Sequence, residues 1–290
     1  MHKIVSSELI LTPEGRIYHL NLKPGEVAEN IILVGDPQRV PVVSSFFDSV
    51  EGSFHNREIH TRTGHLNGKR VSVISTGMGP DNIDIVINEL DAIFNIDLKT
   101  GKVKDRKTTL NIVRIGTSGA MQKDIPVNSF VISSHGVGLD GLIYFYHDFD
   151  RIINKDLTTA FTEFMNWPEK LAAPYIVEGS AQLIDKIGDH MTEGITVTSP
   201  GFYGPQGRSL RMSLANPEIN DQLTRFRHND FRICNYEMET AALYGLSKLL
   251  GHNAATACLI LANRLTGKYS GEYEKYMKRL IEHVLAKLTD

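Results

Sequence analysis

A chain of 290 residues with 41% hydrophobic and 22% charged residues has the balance of an ordinary soluble globule and can bury a core without disulfide or metal staples. Its 31 basic and 34 acidic residues leave a formal charge of −3, which excludes a general attraction to nucleic acid or anionic membrane and makes any anion site a local matter. The two cysteines, Cys234 and Cys258, lie in apolar runs and read as small buried hydrophobes in a reducing compartment.

The first eight residues lack the apolar core of a signal peptide, and no run approaches the ~20 apolar residues of a spanning helix, so a cytoplasmic protein is expected. In chain order, short β-branched runs end in turn signals. Residues 31–34 run into Gly35-Asp36-Pro37, residues 71–75 into Thr76-Gly77-Met78-Gly79, and residues 110–115 into Gly116-Thr117-Ser118-Gly119. Further runs follow at 129–133, 194–198 and 257–262. Continuous apolar strands are covered on both faces, which predicts a central sheet flanked by helices. The basic stretch 99–107 reads as a surface loop, with phosphate or RNA binding there as an alternative. Helical spacing is clearest from Met238 through Ala241, Ala242, Gly245, Leu246, Leu249 and Leu250, stopped by Gly251. A last helix over 272–288 carries Tyr276, Leu280, Val284 and Leu288 on one stripe. With no linker and no repeat, residues 1–290 read as one domain.

Three of these strands end in glycine, where backbone N–H groups can approach an oxyanion without a Cβ in the way. Each turn alone is equally a plain turn or a close packing contact, and none has the dinucleotide or P-loop pattern. Arg39 follows the first turn and Arg114 precedes the third. Arginine forks bind phosphate bidentately, so two arginines tied to glycine turns at one sheet edge favour an anion site over surface salt bridges. His55, His60 and His65 are spaced five apart, which suits no zinc motif, and no metal is expected.

Gly35-Asp36-Pro37-Gln38-Arg39, Ser75-Thr76-Gly77-Met78-Gly79, Arg114-Ile115-Gly116-Thr117-Ser118-Gly119-Ala120 and Asn235-Tyr236-Glu237-Met238-Glu239 occur in the order found in the nucleoside phosphorylase superfamily. From about Tyr18 to the last helix the chain resembles the uridine phosphorylase branch. The resemblance implies a single three-layer α/β domain with a central mixed sheet. It also implies a pentosyltransferase that cleaves uridine, deoxyuridine or thymidine reversibly to the base and ribose 1-phosphate, with phosphate as co-substrate and no cofactor. Gly35, Arg39, Arg114, Gly116 and Thr117 match phosphate ligands. Arg57 and His19 match residues that relatives lend from a neighbouring subunit, to phosphate and to the ribose 5′-hydroxyl, which implies a homo-oligomer, dimer or hexamer, with shared sites. Glu237, Met238 and Glu239 match the ribose clamp. For Glu239 the plainer reading is an acid at a helix N-terminus, and both can hold together.

The run Phe202-Tyr203-Gly204-Pro205-Gln206-Gly207-Arg208 is similar to the uracil-holding loop of that branch, with Gly204 and Pro205 in swapped order. A glutamine amide complements an imide edge, an arginine can receive charge on a carbonyl oxygen, and Phe202 can stack on the ring. Arg264 resembles an arginine supporting the uracil pocket. Purine-cleaving relatives carry an aspartate where Asn263 stands, and an amide cannot act as that acid. The resemblance thus gives catalytic roles to Arg39, Arg114, Thr117, Glu239 and Arg208. A purine phosphorylase, a hydrolytic nucleosidase and a non-catalytic nucleoside-binding protein remain alternatives.

Overall fold

The computed structural model describes residues 4–290. Strands and helices follow one another as β1 (Asn30–Val34), α1 (Arg39–Ser44), a hairpin of β2 (Ser49–Asn56) and β3 (Ile59–Leu66), β4 (Lys69–Ser75) and α2 (Pro80–Asn95). A small hairpin of β5 (Ile96–Asp97) and β6 (Lys102–Val103) leads into β7 (Asn111–Ala120) and β8 (Phe130–Gly138). Then come α3 (Lys155–Met165), β9 (Tyr175–Glu178), α4 (Ala181–Ile187), β10 (Thr192–Thr198), α5 (Ile219–Arg225), β11 (Arg227–His228) and β12 (Phe231–Glu237). The chain ends with α6 (Thr240–Leu250), β13 (Asn253–Asn263), β14 (Lys268–Tyr269) and α7 (Tyr273–Thr289).

The main sheet has the order β11-β12-β10-β8-β13-β7-β1-β4-β3-β2 and is mixed: β1 pairs in parallel with β4 and β7, β7 with β13, and β8 with β10, whereas β8 and β13 are antiparallel. An extra pairing of Asn235 with Ala120 and Tyr236 with Gly119 joins β12 back to β7. That pairing closes β7, β13, β8, β10 and β12 into a ring and brings the end of β12 beside the end of β7.

The expected layering is present, and it follows from alternation along buried strands. In β1, Ile31 and Leu33 face a cluster that includes Ile83, Val86, Ile87 and Leu90 of α2 and Leu243 and Leu246 of α6. Ile32 and Val34 face the opposite cluster, with Val40 and Val43 of α1 and Leu280, Ile281 and Val284 of α7. Among the described residues no helix is long and apolar enough to cross a membrane.

Two expectations need correction. Gly116-Thr117-Ser118-Gly119 is not a turn: β7 runs through it to Ala120, because Gly116, Thr117 and Ser118 pair with Cys258, Leu259 and Ile260 of β13. The basic stretch 99–107 is not all loop, since Lys102 and Val103 pair with Asp97 and Ile96.

Candidate active site

Four segments converge at one end of the sheet: the β1–α1 turn, the β4–α2 turn, β7 itself and the β12–α6 junction. Arg39, at the start of α1, is 9% exposed. Its Nη1 donates to the carbonyl of Ile115 at 3.2 Å and its Nη2 to the hydroxyl of Tyr273 at 2.8 Å. Arg114, 5% exposed, folds back over Gly116, whose missing side chain makes the room: a Cβ there would lie against Nη1 and only 2.8 Å from Cζ of Arg114. Each guanidinium retains a buried Nε–H that no group among the described residues accepts.

Arg114 is bracketed by carboxylates. Its Nη2 donates to Glu239, and its Nη1 lies 3.2 Å from Oε2 of Glu237 and 3.7 Å from the Cys258 sulfur. Burial works against its charge, but Glu239 and Glu237 outweigh burial and hold the guanidinium firmly protonated. Glu239 also accepts the N–H of Gly79, at 2.8 Å, from the β4–α2 turn. Burial pushes the Glu239 carboxyl up from 4.5 to about 6; neighbouring Glu237 adds to the rise, and Arg114 pulls against it without winning.

Glu239 does stand at a helix N-terminus, as the reading of it as an N-terminal acid expects, but the side chain that caps the helix is that of Glu237. Glu239 occupies the N-cap position of α6, but its side chain makes no cap bond. Glu237 instead accepts the N–H groups of Glu239 (2.8 Å) and Thr240 (3.0 Å) and the hydroxyl of Thr198 (2.6 Å). Its oxygens are thereby committed to the N-terminus of α6 and to Arg114. Met238, between the two acids, is half-buried, as is Thr117 on β7. At Gly35 a Cβ would sit 3.4 Å from the Gly77 carbonyl, so the first two glycine turns pack against each other.

The second group of candidates gathers around Gln206. Pro205 is the second residue of a 3-10 turn over Gly204–Gln206 in which the Gln206 side chain is buried. Its Oε1 accepts from Arg208 Nη1 at 2.5 Å, and its main-chain carbonyl accepts from Arg264 Nη1. One residue therefore holds two cationic side chains. Burial, and then the charge of Arg264, bring Arg208 down to about 10, so it stays cationic at neutral pH. The Arg208 guanidinium lies 3.7 Å from the centre of the half-exposed Phe202 ring, so that ring has a cation on its face. Arg264 lies 5.6 Å from the centre of the Tyr236 ring, next to Glu237, and its N–H reaches the Ala120 carbonyl, which links this group to the ends of β7 and β12.

His19 and Arg57 form a third group. Arg57 is exposed at the β2–β3 turn with φ of +53°. Asn56 beside it donates to the carbonyls of Tyr18 and His19 at 3.0 and 3.1 Å, and His19 Nδ1 is 2.6 Å from Glu89 of α2. Among the described residues, neither His19 nor Arg57 is hydrogen-bonded to the arginines or acids of the first two groups.

Sequence reasoning missed Tyr273 and Gly79. Tyr273 opens the last helix, and its hydroxyl is brought to Arg39 by tertiary packing that no motif announces. Gly79 belongs to a quoted glycine turn, but its bond to Glu239 links segments 160 residues apart. Asn263 is buried, donating its amide to the carbonyls of Gln122 and Ile125 and accepting from the N–H groups of Leu265 and Thr266. It braces the loop and offers no acid.

A family model described as the phosphorylase superfamily matches residues 29–288. The chain is 32% identical over 283 residues to a uridine phosphorylase of Thermococcus kodakarensis, covering 95% of this chain and 87% of that protein. It is 28% identical to a DeoD-type purine nucleoside phosphorylase of Bacillus thuringiensis, over 89% of this chain and 91% of the relative. Among solved structures, a Trypanosoma brucei nucleoside phosphorylase described as showing uridine phosphorylase activity superposes with a TM-score of 0.89 at 30% identity, covering 97% of this chain and 99% of that one.

Proposed function

Because the chain belongs to the phosphorylase superfamily, we propose that it is a uridine phosphorylase, a pentosyltransferase that splits uridine with inorganic phosphate. The observation that carries this reading is the convergence of two largely buried guanidiniums, Arg39 and Arg114, where the glycine turns meet at one end of the sheet, with the Glu239 carboxylate beside Arg114. Each guanidinium also keeps a buried Nε–H without an acceptor among the described residues, a cost of about 1–3 kcal/mol, more for a charged group, that an anion taken up beside it would relieve. Phosphate is that anion in this account, with Gly35, Gly116, Thr117 and a partner's arginine at position 57 completing its ligands. Glu239 accepts hydrogen bonds from the ribose hydroxyls and Met238 packs on the sugar. Glu237 holds Arg114 and the helix start, while a partner's histidine at position 19 reaches the 5′ end.

The N-glycosidic bond breaks with its electron pair leaving on the base, and positive charge builds on the ribose. A phosphate oxygen below C1′ stabilises that charge and then forms the new C–O bond, and the proton that hydrogen phosphate gives up ends on the departing base, giving uracil and ribose 1-phosphate. The charge arriving on uracil is met by Arg208 and the Gln206 amide, with Arg264 bracing both. Gln206 Oε1 keeps a second lone pair for the N3–H. The rate arises from positioning and preorganised charge, with no covalent enzyme intermediate.

Incubation of uridine, deoxyuridine, thymidine and inosine with and without phosphate tests the reading. Uracil and ribose 1-phosphate should form from uridine only when phosphate is supplied. Free ribose in its absence, or inosine cleaved in preference to uridine, would overturn it.

A further inference from the structure

The two buried arginines are held in different ways. Arg114 is paired with two carboxylates, which neutralise it as they fix it. Among the described residues Arg39 is fixed only by neutral acceptors, the Ile115 carbonyl and the Tyr273 hydroxyl. A guanidinium gripped at both Nη atoms loses its rotational freedom, yet with no anion beside it its full charge stays available to an incoming one.

Tyr273 is well placed to act as such a grip. It is the first residue of α7, whose buried residues Met277, Leu280, Ile281, Val284, Leu285 and Leu288 anchor the helix to the sheet. The Tyr273 ring itself packs against that core cluster beside α1. Its hydroxyl therefore sits on a rigid element, and a tyrosine has few rotamers in which to wander. A carboxylate in its place would compete with the substrate anion for the same donors.

We propose that Tyr273 is the positioning residue of the phosphate site, holding Arg39 by a neutral hydrogen bond so that the guanidinium is fixed for phosphate while its charge stays uncompensated. The proposal rests on the reading of Arg39 as a phosphate ligand. Without the hydroxyl, Nη2 loses its acceptor and the guanidinium is held at one end only. The loss falls on phosphate and leaves the nucleoside pocket around Gln206 and Glu239 as it was.

Steady-state kinetics of Tyr273→Phe, which keeps the packed ring, test this. The KM for phosphate should rise about tenfold, equivalent to about 1.4 kcal/mol, while kcat changes less than threefold and the KM for uridine is unmoved. The phosphate concentration that half-maximally raises the thermal midpoint should rise in parallel. In an Arg39→Lys background, which lacks the fork, adding Tyr273→Phe should have no further effect. If the wild-type protein shows no phosphate-dependent cleavage of uridine, the phosphorylase reading itself fails. A phosphate KM unchanged in Tyr273→Phe, equal changes in both KM values, or additive effects in the double variant would overturn the role of Tyr273 while leaving that reading intact.

Discussion

Gly116 shows how one missing methyl group shapes the site, because the space its side chain would fill is occupied by the Arg114 guanidinium. That fold-back brings Arg114 onto Glu239, whose carboxyl burial pushes up from 4.5 to about 6. The sign of its pH effect follows. A carboxyl raised from 4.5 favours the protonated form in the native state, so its contribution to stability is present below about 4.5 and is lost as pH rises through about 6. Under the proposed role of Glu239 activity runs the other way, since only the carboxylate would accept hydrogen bonds from two ribose hydroxyls. The kcat/KM for uridine should therefore fall as pH drops through about 6. In Glu239→Gln that limb should be absent and the rate lower at every pH, by on the order of 100-fold for one lost charged acceptor in a dry site. Parallel pH–rate profiles check this, and because phosphate titrates identically in both, a limb that survived the substitution would belong to another group.

Elements with a regular apolar signal were legible in the sequence, and so were the first two glycine turns, after β1 and β4. The runs at 31–34, 71–75 and 194–198 lie within β1, β4 and β10, and the spacing from Met238 to Leu250 anticipates α6, although the helix begins at Thr240 with both acids before it. Strand β7 was cut short because Gly-Thr-Ser-Gly carries turn residues, and only pairing with β13 on one side and β12 at its end keeps such a sequence extended. The β2–β3 hairpin gave little signal since β2 is largely exposed and its apolar alternation is weak. Gln206, Arg208 and Arg264 were found as a group by resemblance, but that one residue holds both arginines emerges only from the coordinates, through a main-chain carbonyl no side-chain pattern encodes. Tyr273 is the same lesson at longer range: its hydroxyl and Arg39 are separated by 234 residues, and the link depends on α7 docking beside α1.

At the scale of the whole molecule, the ring closed by β12 and β7 brings Arg114, Glu239 and the group around Gln206 to one end of the sheet, while Arg57 and His19 are tied together through Asn56 and, among the described residues, are not hydrogen-bonded to that group. We propose that these two serve a neighbouring copy. If so, Arg39→Ala and Arg57→Ala, each nearly inactive alone, should regain about a quarter of wild-type activity when dissociated and reassembled together, because half of randomly paired dimers then contain one intact site of two. Silence on mixing would return Arg57 to its own subunit or to the surface. The account as a whole depends on one anion shared by two buried arginines. A crystal structure of the protein grown with phosphate measures this directly. The account predicts one phosphate within hydrogen-bond distance of both Arg39 and Arg114, over Gly116 and beside Glu239, whereas guanidinium groups pointing apart with no common ion between them would contradict it.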